Sequence, residues 1–357
     1  MPRANAVHDA RLVLRDAIQR RIFPAAVAEF GDASSPLWRE AFGALTFDDD
    51  AAPAAERTIF DLASLTKPLA TTMVVLDLVD RQRLRLDERL EGMFPEWRGE
   101  DRAPVTVLDL LEHASGLPAR LVDLPPETRR AFEHDICSIA LEYPPRTHSI
   151  YSDLGFLLLG FLAADRDGVT LDRAFARIVV DRLDILEAAE RVLGFGVSPT
   201  AVNRVAPTEP MDEDPRRGQR LIGKVHDNYA AALRGVAGHA GLFGDAGTVG
   251  GIGRMLLRPD RWSAPFSAGL TKLATTRSSV LGSSRALGWD TMLPTSSCGT
   301  RMTPSAFGHV GFTGTSLWID PGRDRYFVLL TNRACGGGSP EAMRELRRAF
   351  HDALGDA

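Results

Sequence analysis

The chain has 357 residues, 44% of them hydrophobic and 25% charged, with 42 Lys plus Arg against 47 Asp plus Glu and a formal net charge of −5. That length allows two structural units and a sizeable core, and the mixed signs leave no basic surface to hold a phosphate backbone, so nucleic acid is not an expected partner. The 3 cysteines, Cys137, Cys298 and Cys335, are odd in number and far apart, which excludes a disulfide framework or paired metal-ligand spacing and reads as reduced thiols.

The first 30 residues hold no apolar run of signal-peptide length, which reads as a cytoplasmic protein. Val13, Leu14, Ala17, Ile18 and Ile22 repeat at helical spacing and lead through Pro24 into a strand at 25–30; a second short strand is expected at 38–42 and an exposed loop at 48–55. From Ser64 to about Val79, the residues Leu65, Leu69, Met73, Leu76 and Val79 recur every three or four positions. The spacing predicts an amphipathic helix with Ser64 and Lys67 in its first turn, Asp61 as its cap and Pro68 early enough to be tolerated. Further helices are predicted at 106–113, 128–141, 153–164 and 170–180. The segment 154–164 is the longest apolar stretch, reads as a buried helix and is too short to span a bilayer. Residues 197–222, rich in Pro, Arg and acids, read as a long surface connection. Asp245 is expected to cap a helix through Leu257, followed by strands at 285–292, 307–319 and 326–331 and a last helix at 340–354. Strands at both ends with helices between them suggest a mixed sheet unit carrying a helical insert.

Lysine occurs only at Lys67, Lys224 and Lys272. Arginine does not give up its proton, whereas a buried lysine can exchange one, so each lysine is a candidate for proton chemistry. Ser64 and Lys67 stand at i and i+3, where the amine can share the hydroxyl proton. A helix N-terminus adds unpaired N–H groups and the positive end of the dipole, which favour the charge of acyl transfer.

The segment 59–68, with Ser64-Leu65-Thr66-Lys67-Pro68, resembles the nucleophile region of class C β-lactamases, penicillin-binding proteins and their esterase relatives. Leu111-Glu112-His113-Ala114-Ser115-Gly116, Tyr151-Ser152-Asp153, Gly238-His239-Ala240-Gly241 and His309-Val310-Gly311-Phe312-Thr313-Gly314 agree with it in the family's order. The resemblance implies an α+β, β-lactamase-like fold, an antiparallel sheet flanked by helices. Residues 1–80 and 235–357 would form the sheet unit, 81–234 a mainly helical insert, with the active site in the cleft between them. It implies that Tyr151 faces Ser64, with Lys67 lowering the phenol's pKa, and that the backbone N–H groups of Ser64 and Phe312 form the oxyanion hole. Gly311 would let substrate approach the strand closely. His309 replaces the family's frequent lysine and Asp153 its usual asparagine, so Asp153, His309 and Gly311 are read as substrate-binding positions at which acidic substrates are disfavoured. Asp153 would also keep Lys67 protonated and shift base duty toward Tyr151; an aspartate here is equally a plain helix N-cap.

His113 and His239 are read as structural, and the spacing of His226, Asp227 and His239 matches no recognised metal site, so no metal and no cofactor are expected. The expected activity is that of a serine hydrolase working through an acyl-Ser64 intermediate on a small ester or amide, a carboxylesterase first. The alternatives are a D,D-carboxypeptidase, D-aminopeptidase or β-lactamase, and last a non-catalytic penicillin-binding-like sensor.

Overall fold

The structure is a computed structural model that describes residues 4–121, 125–182, 192–258 and 266–355. Helix α1 (Ala4–Gln19) packs Ala6, Val7, Ala10, Leu14 and Ala17 inward at helical spacing. Strands β1 (Ala25–Gly31) and β2 (Pro36–Gly43) follow as an antiparallel pair. The short strand β3 (Phe60–Asp61) leads to the segment that carries Ser64.

That segment departs from the single amphipathic helix expected. Residues Ala63–Leu65 form a 3-10 turn, Lys67–Thr72 a π-helical turn, and only Met73–Asp80 are α-helical (α2). Every residue from Leu65 to Leu78 is buried, so the stripe is not a face turned from solvent; the segment is enclosed on all sides. A π turn widens the helix by one residue per hydrogen bond, a distortion found mostly where side chains must be placed for function.

The helices α3 (Val107–Leu111), α4 (Arg129–Ser138), α5 (Asp153–Asp167) and α6 (Leu171–Arg182) come close to expectation, the first three capped by Thr106, Thr128 and Ser152. Strand β4 (Leu193–Phe195), helix α7 (Asn228–Ala232) and strand β5 (Leu242–Gly244) come next. The order β3-β5-β4 makes a small second sheet that sequence reading missed, because its strands are only two or three residues long. The connection 197–222 is pinned rather than loose: Pro199–Arg204 form a 3-10 helix, Val205 bridges Ile59, and Thr208 bridges Leu221.

Asp245 caps α8 (Ala246–Leu257), and α9 (Ala268–Thr275), which the sequence did not suggest, precedes the last strands. Strand β6 is only Asp290–Thr291, and the strand expected at 307–319 is two strands, β7 (Phe307–Val310) and β8 (Ser316–Asp320), with a turn at 311–315. Gly314 sits in that turn at φ +105°, a conformation glycine supplies without strain. Strand β9 (Arg325–Thr331) and helix α10 (Pro340–Leu354) finish the chain.

The main sheet is antiparallel, in the order β2-β1-β9-β8-β7-β6. Alternation along its strands serves two cores. Ala26, Ala28, Phe30, Phe327 and Leu329 join α1 and α10, while Ala25, Val27, Tyr326, Val328 and Leu330 join the larger core of α2, α5 and α8. Ser64 follows Leu62 in that larger core, across the sheet from α10.

Candidate active site

Ser64 is reached through a strained bend. Ala63 has φ +47°, a conformation that costs a non-glycine residue about 1–2 kcal/mol. The Asp61 carboxylate accepts the Ala63 N–H at 2.8 Å and the His226 N–H at 2.7 Å, so it pins the bend from behind; it is not the helix cap expected, since Leu62 holds the cap position and no side chain caps the turn. Burial pushes the Asp61 pKa up to about 6 against these two amides.

Beyond the bend, the Tyr151 hydroxyl donates to Ser64 Oγ at 2.7 Å and Lys67 Nζ donates to it at 3.2 Å. Lys67 Nζ also donates to Tyr151 Oη at 2.5 Å, Asp153 Oδ1 at 2.7 Å and the His239 carbonyl at 3.2 Å. An ammonium has three N–H donors, so this fully buried amine, with four oxygen acceptors around it, shares one N–H between two of them, and a surrounding in which every partner accepts suits the charged form. Burial alone would lower the Lys67 pKa, but the charge of Asp153 and then Tyr151 outweigh it and hold the amine above its ordinary value. Tyr151 is likewise raised, first by burial, with Lys67 pulling down and Asp153 pushing up. Lys67 does pull the phenol down as expected, but burial and Asp153 outweigh it and the net shift is upward, so the resting pair is ammonium and neutral phenol.

Asp153 is not the helix cap, since Ser152 Oγ accepts the Gly155 N–H at 3.3 Å. Its carboxylate bridges Lys67 and Arg120, whose Nη1 donates to Asp153 Oδ2 and to Asp227 Oδ2, both at 2.9 Å. Burial would raise both carboxylates, but Lys67 and His239 hold Asp153 below its ordinary value, and His239 and Arg120 hold Asp227 well below its own. Asp153, Asp227 and His239 place one ligand atom each within 4.8 Å of the others. Their oxygens already face Lys67 and Arg120, however, which gives the cluster its positive charge without a metal ion and fits one poorly. His239 Nε2 lies 2.8 Å from Asp227 Oδ1, so the ring contacts a carboxylate of this cluster rather than loop backbone as its structural reading expected.

Tyr151 is enclosed by His113, with ring centroids 4.9 Å apart, and His309, 6.0 Å away. His113 Nδ1 accepts the Ser152 N–H at 3.0 Å, a structural role as expected. His309 is buried, its Nδ1 donates to the Val310 carbonyl at 2.9 Å, and its Nε2 has no partner among the described residues. Burial, with Arg285 and Lys67 nearby, lowers its pKa well below the ordinary value, so the ring is neutral. Arg285, which the sequence reading did not single out, lies over the Tyr151 ring at 5.3 Å.

Gly311 also meets a packing requirement of the fold. A side chain there would stand 2.6 Å from the Leu62 carbonyl and 3.3 Å from Ala63, so the glycine lets the 311–315 turn lie against the Ser64 segment. Thr313 and Thr315 hydroxyls lock that contact by donating to the Asp61 and Leu62 carbonyls at 2.7 and 3.0 Å. Phe312 is 45% exposed beside it. Arg120 and Arg285 left no trace in local pattern, and Asp227 was weighed only as a metal ligand, because each reaches the site across more than 30 residues of sequence.

A family model described as Beta-lactamase matches residues 14–351, and the chain belongs to that family of serine hydrolases. Over 338 residues it is 30% identical to an Escherichia coli protein named "Putative D-alanyl-D-alanine carboxypeptidase", covering 83% of this chain and 75% of that one. Over 304 residues it is 31% identical to the N-acetylmuramyl-L-alanine amidase of Bacillus subtilis, covering 78% and 68%. Among solved structures it resembles EstCE1, a hydrolase with promiscuous acyltransferase activity, at a TM-score of 0.76, 18% identity and coverage of 97% and 98%. It also resembles a class C β-lactamase from Rhodobacter sphaeroides at a TM-score of 0.76, 19% identity and the same coverage. The β-lactamase-like fold is thereby established.

Proposed function

We propose that the chain cleaves a carboxylic ester or amide through an acyl-enzyme on Ser64, in a cleft between the sheet unit (1–80 and 235–357) and the helical unit (81–234). The observation that carries this reading is the pair of contacts on Ser64 Oγ, from Tyr151 at 2.7 Å and Lys67 at 3.2 Å, in a partly open position at the head of a buried helical segment. With Lys67 an ammonium and Tyr151 a neutral phenol, the pair must release one proton before Tyr151 accepts that of Ser64. Ser64 Oγ then attacks the carbonyl carbon, and the N–H groups of Ser64 and Phe312 hold the oxyanion. Tyr151 returns the proton to the leaving group, and water releases the acyl group by the same route. Asp153 orients Lys67, and the unpartnered Nε2 of His309 accepts from substrate.

The first reading is an uncharged ester, since His309 is neutral where charge would greet a carboxylate. A second reading, a D-amino-acid peptide or β-lactam with a free carboxylate, is favoured by Arg285, a guanidinium stacked over Tyr151, and by Arg120, which offsets the charge of Asp153. The names of the curated relatives lean the same way. The cytoplasmic location belongs to the proposal as well; no described helix is long and apolar enough to cross a membrane.

The test is parallel turnover of a short p-nitrophenyl ester, a D-alanyl-D-alanine peptide and a chromogenic cephalosporin by wild type and Ser64→Ala. Ester turnover that vanishes in the variant supports the first reading, and preference for the peptide supports the second. Full activity in Ser64→Ala would sink both.

A further inference from the structure

Arg347, on α10, is 7% exposed and has no carboxylate partner among the described residues. Burying a guanidinium without an anion is costly unless its donors are well used. Its Nη2 donates to two carbonyls of the turn beside Ser64, Gly311 at 2.7 Å and Thr315 at 3.0 Å. Neither carbonyl needs it for pairing, because Gly311 O also accepts the Gly314 N–H at 3.1 Å and Thr315 O the Gly311 N–H at 2.8 Å. The charge is thus placed where the backbone is already satisfied.

The peptide that Arg347 grips is Gly311–Phe312. In a trans peptide the carbonyl and the following N–H point in opposite directions, and the described chain holds no cis bond. Arg347 holds the Gly311 carbonyl from the α10 side of the sheet, so the Phe312 N–H is turned away from α10, where the turn meets residues 61–63. A cationic donor on the carbonyl also polarises the whole amide and strengthens its N–H as a donor. Arg333 acts on the next peptide, with Nε and Nη2 donating to the Phe312 carbonyl at 3.0 and 2.6 Å.

We propose that Arg347 is a positioning residue for the reaction: from behind the sheet it fixes and polarises the Gly311–Phe312 peptide so that its N–H serves the oxyanion. The proposal rests on the reading of Ser64 as nucleophile and of the Phe312 N–H as an oxyanion donor.

Arg347→Met keeps an unbranched stem, removes the charge and leaves both carbonyls a backbone donor. Its effect is read in two ways, by kcat and KM on the p-nitrophenyl ester per titrated active site, and by the affinity of phenylboronic acid, whose serine adduct places an oxygen in the oxyanion position. The expected result is a folded variant with kcat at least tenfold lower, KM within threefold, and boronate affinity lowered in step with kcat. Arg347→Lys, which keeps the charge and one donor, is expected to recover part of both losses. A folded Arg347→Met with kcat and boronate affinity within twofold of wild type overturns the proposal, whatever happens to the melting temperature. If the Met variant does not fold, Arg347→Lys decides: at least a threefold loss of boronate affinity upholds the proposal and an unchanged affinity overturns it. Ser64→Ala in the same assays separates the layers, since activity without Ser64 sinks the functional reading itself, whereas an inactive Ser64→Ala beside an unaffected Arg347→Met sinks this proposal alone.

Discussion

Between Ser64 and Arg120, charges alternate through Lys67 and Asp153, and the sign of each fixes what its neighbour can do. The Asp153 carboxylate raises both Lys67 and Tyr151, so it stabilises the form of the pair that holds one proton too many for attack. Activity is expected to climb with pH as the pair loses that proton. In Asp153→Asn both pKa values fall, and the rising limb of kcat/KM should move about one unit or more toward acid; an unmoved limb would show that Asp153 does not govern the base. Arg120→Ala is expected to cost about 1–3 kcal/mol in urea unfolding, because it leaves Asp153 and Asp227 short of their shared cation, although Arg120 is part-exposed and each carboxylate keeps a second partner. A loss below 1 kcal/mol would mean that water replaces the guanidinium. The identities of Ser64, Lys67 and Tyr151 were legible in the sequence because family motifs mark them. The net effect on Tyr151 was not, since it depends on burial and on how far Asp153 offsets Lys67. Nor was the pairing of Asp153, where Ser152 takes the capping role and frees the carboxylate.

Helix α8 shows how an element's sequence answers to what lies beneath it. Gly250 and Gly253 face the sheet where Glu29, buried in β1, accepts from Tyr326 Oη at 2.6 Å and Arg39 Nε at 2.5 Å. A methyl group on Gly250 would overlap Glu29 Oε1 and stand 2.9 Å from the Tyr326 ring. Gly250→Ala is therefore expected to destabilise by about 1–3 kcal/mol. Gly269→Ala, in α9 with open space around it, should be neutral or gain up to roughly 1 kcal/mol. Urea midpoints check both, and equal effects at the two sites would contradict the packing argument. Elements with long regular patterns, such as α5, α10 and β1, were legible in the sequence. The 311–315 turn was not: read as strand period, the run from Phe307 to Ile319 looks continuous, and only the contacts of Thr313 and Thr315 with residues 61 and 62 show why it breaks. The same limit applies to the π turn at Lys67–Thr72, whose periodicity resembles that of a surface helix although it is buried throughout.

Across the whole molecule, the two ends of the chain supply one sheet, and its two faces divide the labour. On one side α1 and α10 close a core from which Arg347 reaches the turn at 311–315; on the other the larger core seats Ser64. The ordering of strands at both ends around central helices was legible from the pattern of the sequence, while β3, β4 and β5 were too short to register. Folding stability should carry the signature of the buried carboxylates. Asp153 and Asp227 have depressed pKa values in the folded state, so their contribution is present above the unfolded value near 3.9 and is lost as pH falls through the folded values. Asp61, raised to about 6, works the other way: its contribution is greatest below about 3.9 and is lost as pH rises through 6. Urea midpoints from pH 2 to 7 are expected to fall at the acid end. In Asp153→Asn/Asp227→Asn the pH 7 midpoint should be lower and the acid fall shallower; an unchanged acid slope would place the titrating groups elsewhere.

The proposed chemistry turns on a covalent intermediate at Ser64. The most direct measurement is an acid quench of the enzyme during turnover of a p-nitrophenyl ester, followed by peptide mass spectrometry. Wild type is expected to carry the mass of one acyl group on the peptide that contains Ser64, and Ser64→Ala to lack it. Ester turnover at full rate with the acyl mass on another residue, or an adduct that persists in Ser64→Ala, would contradict that chemistry.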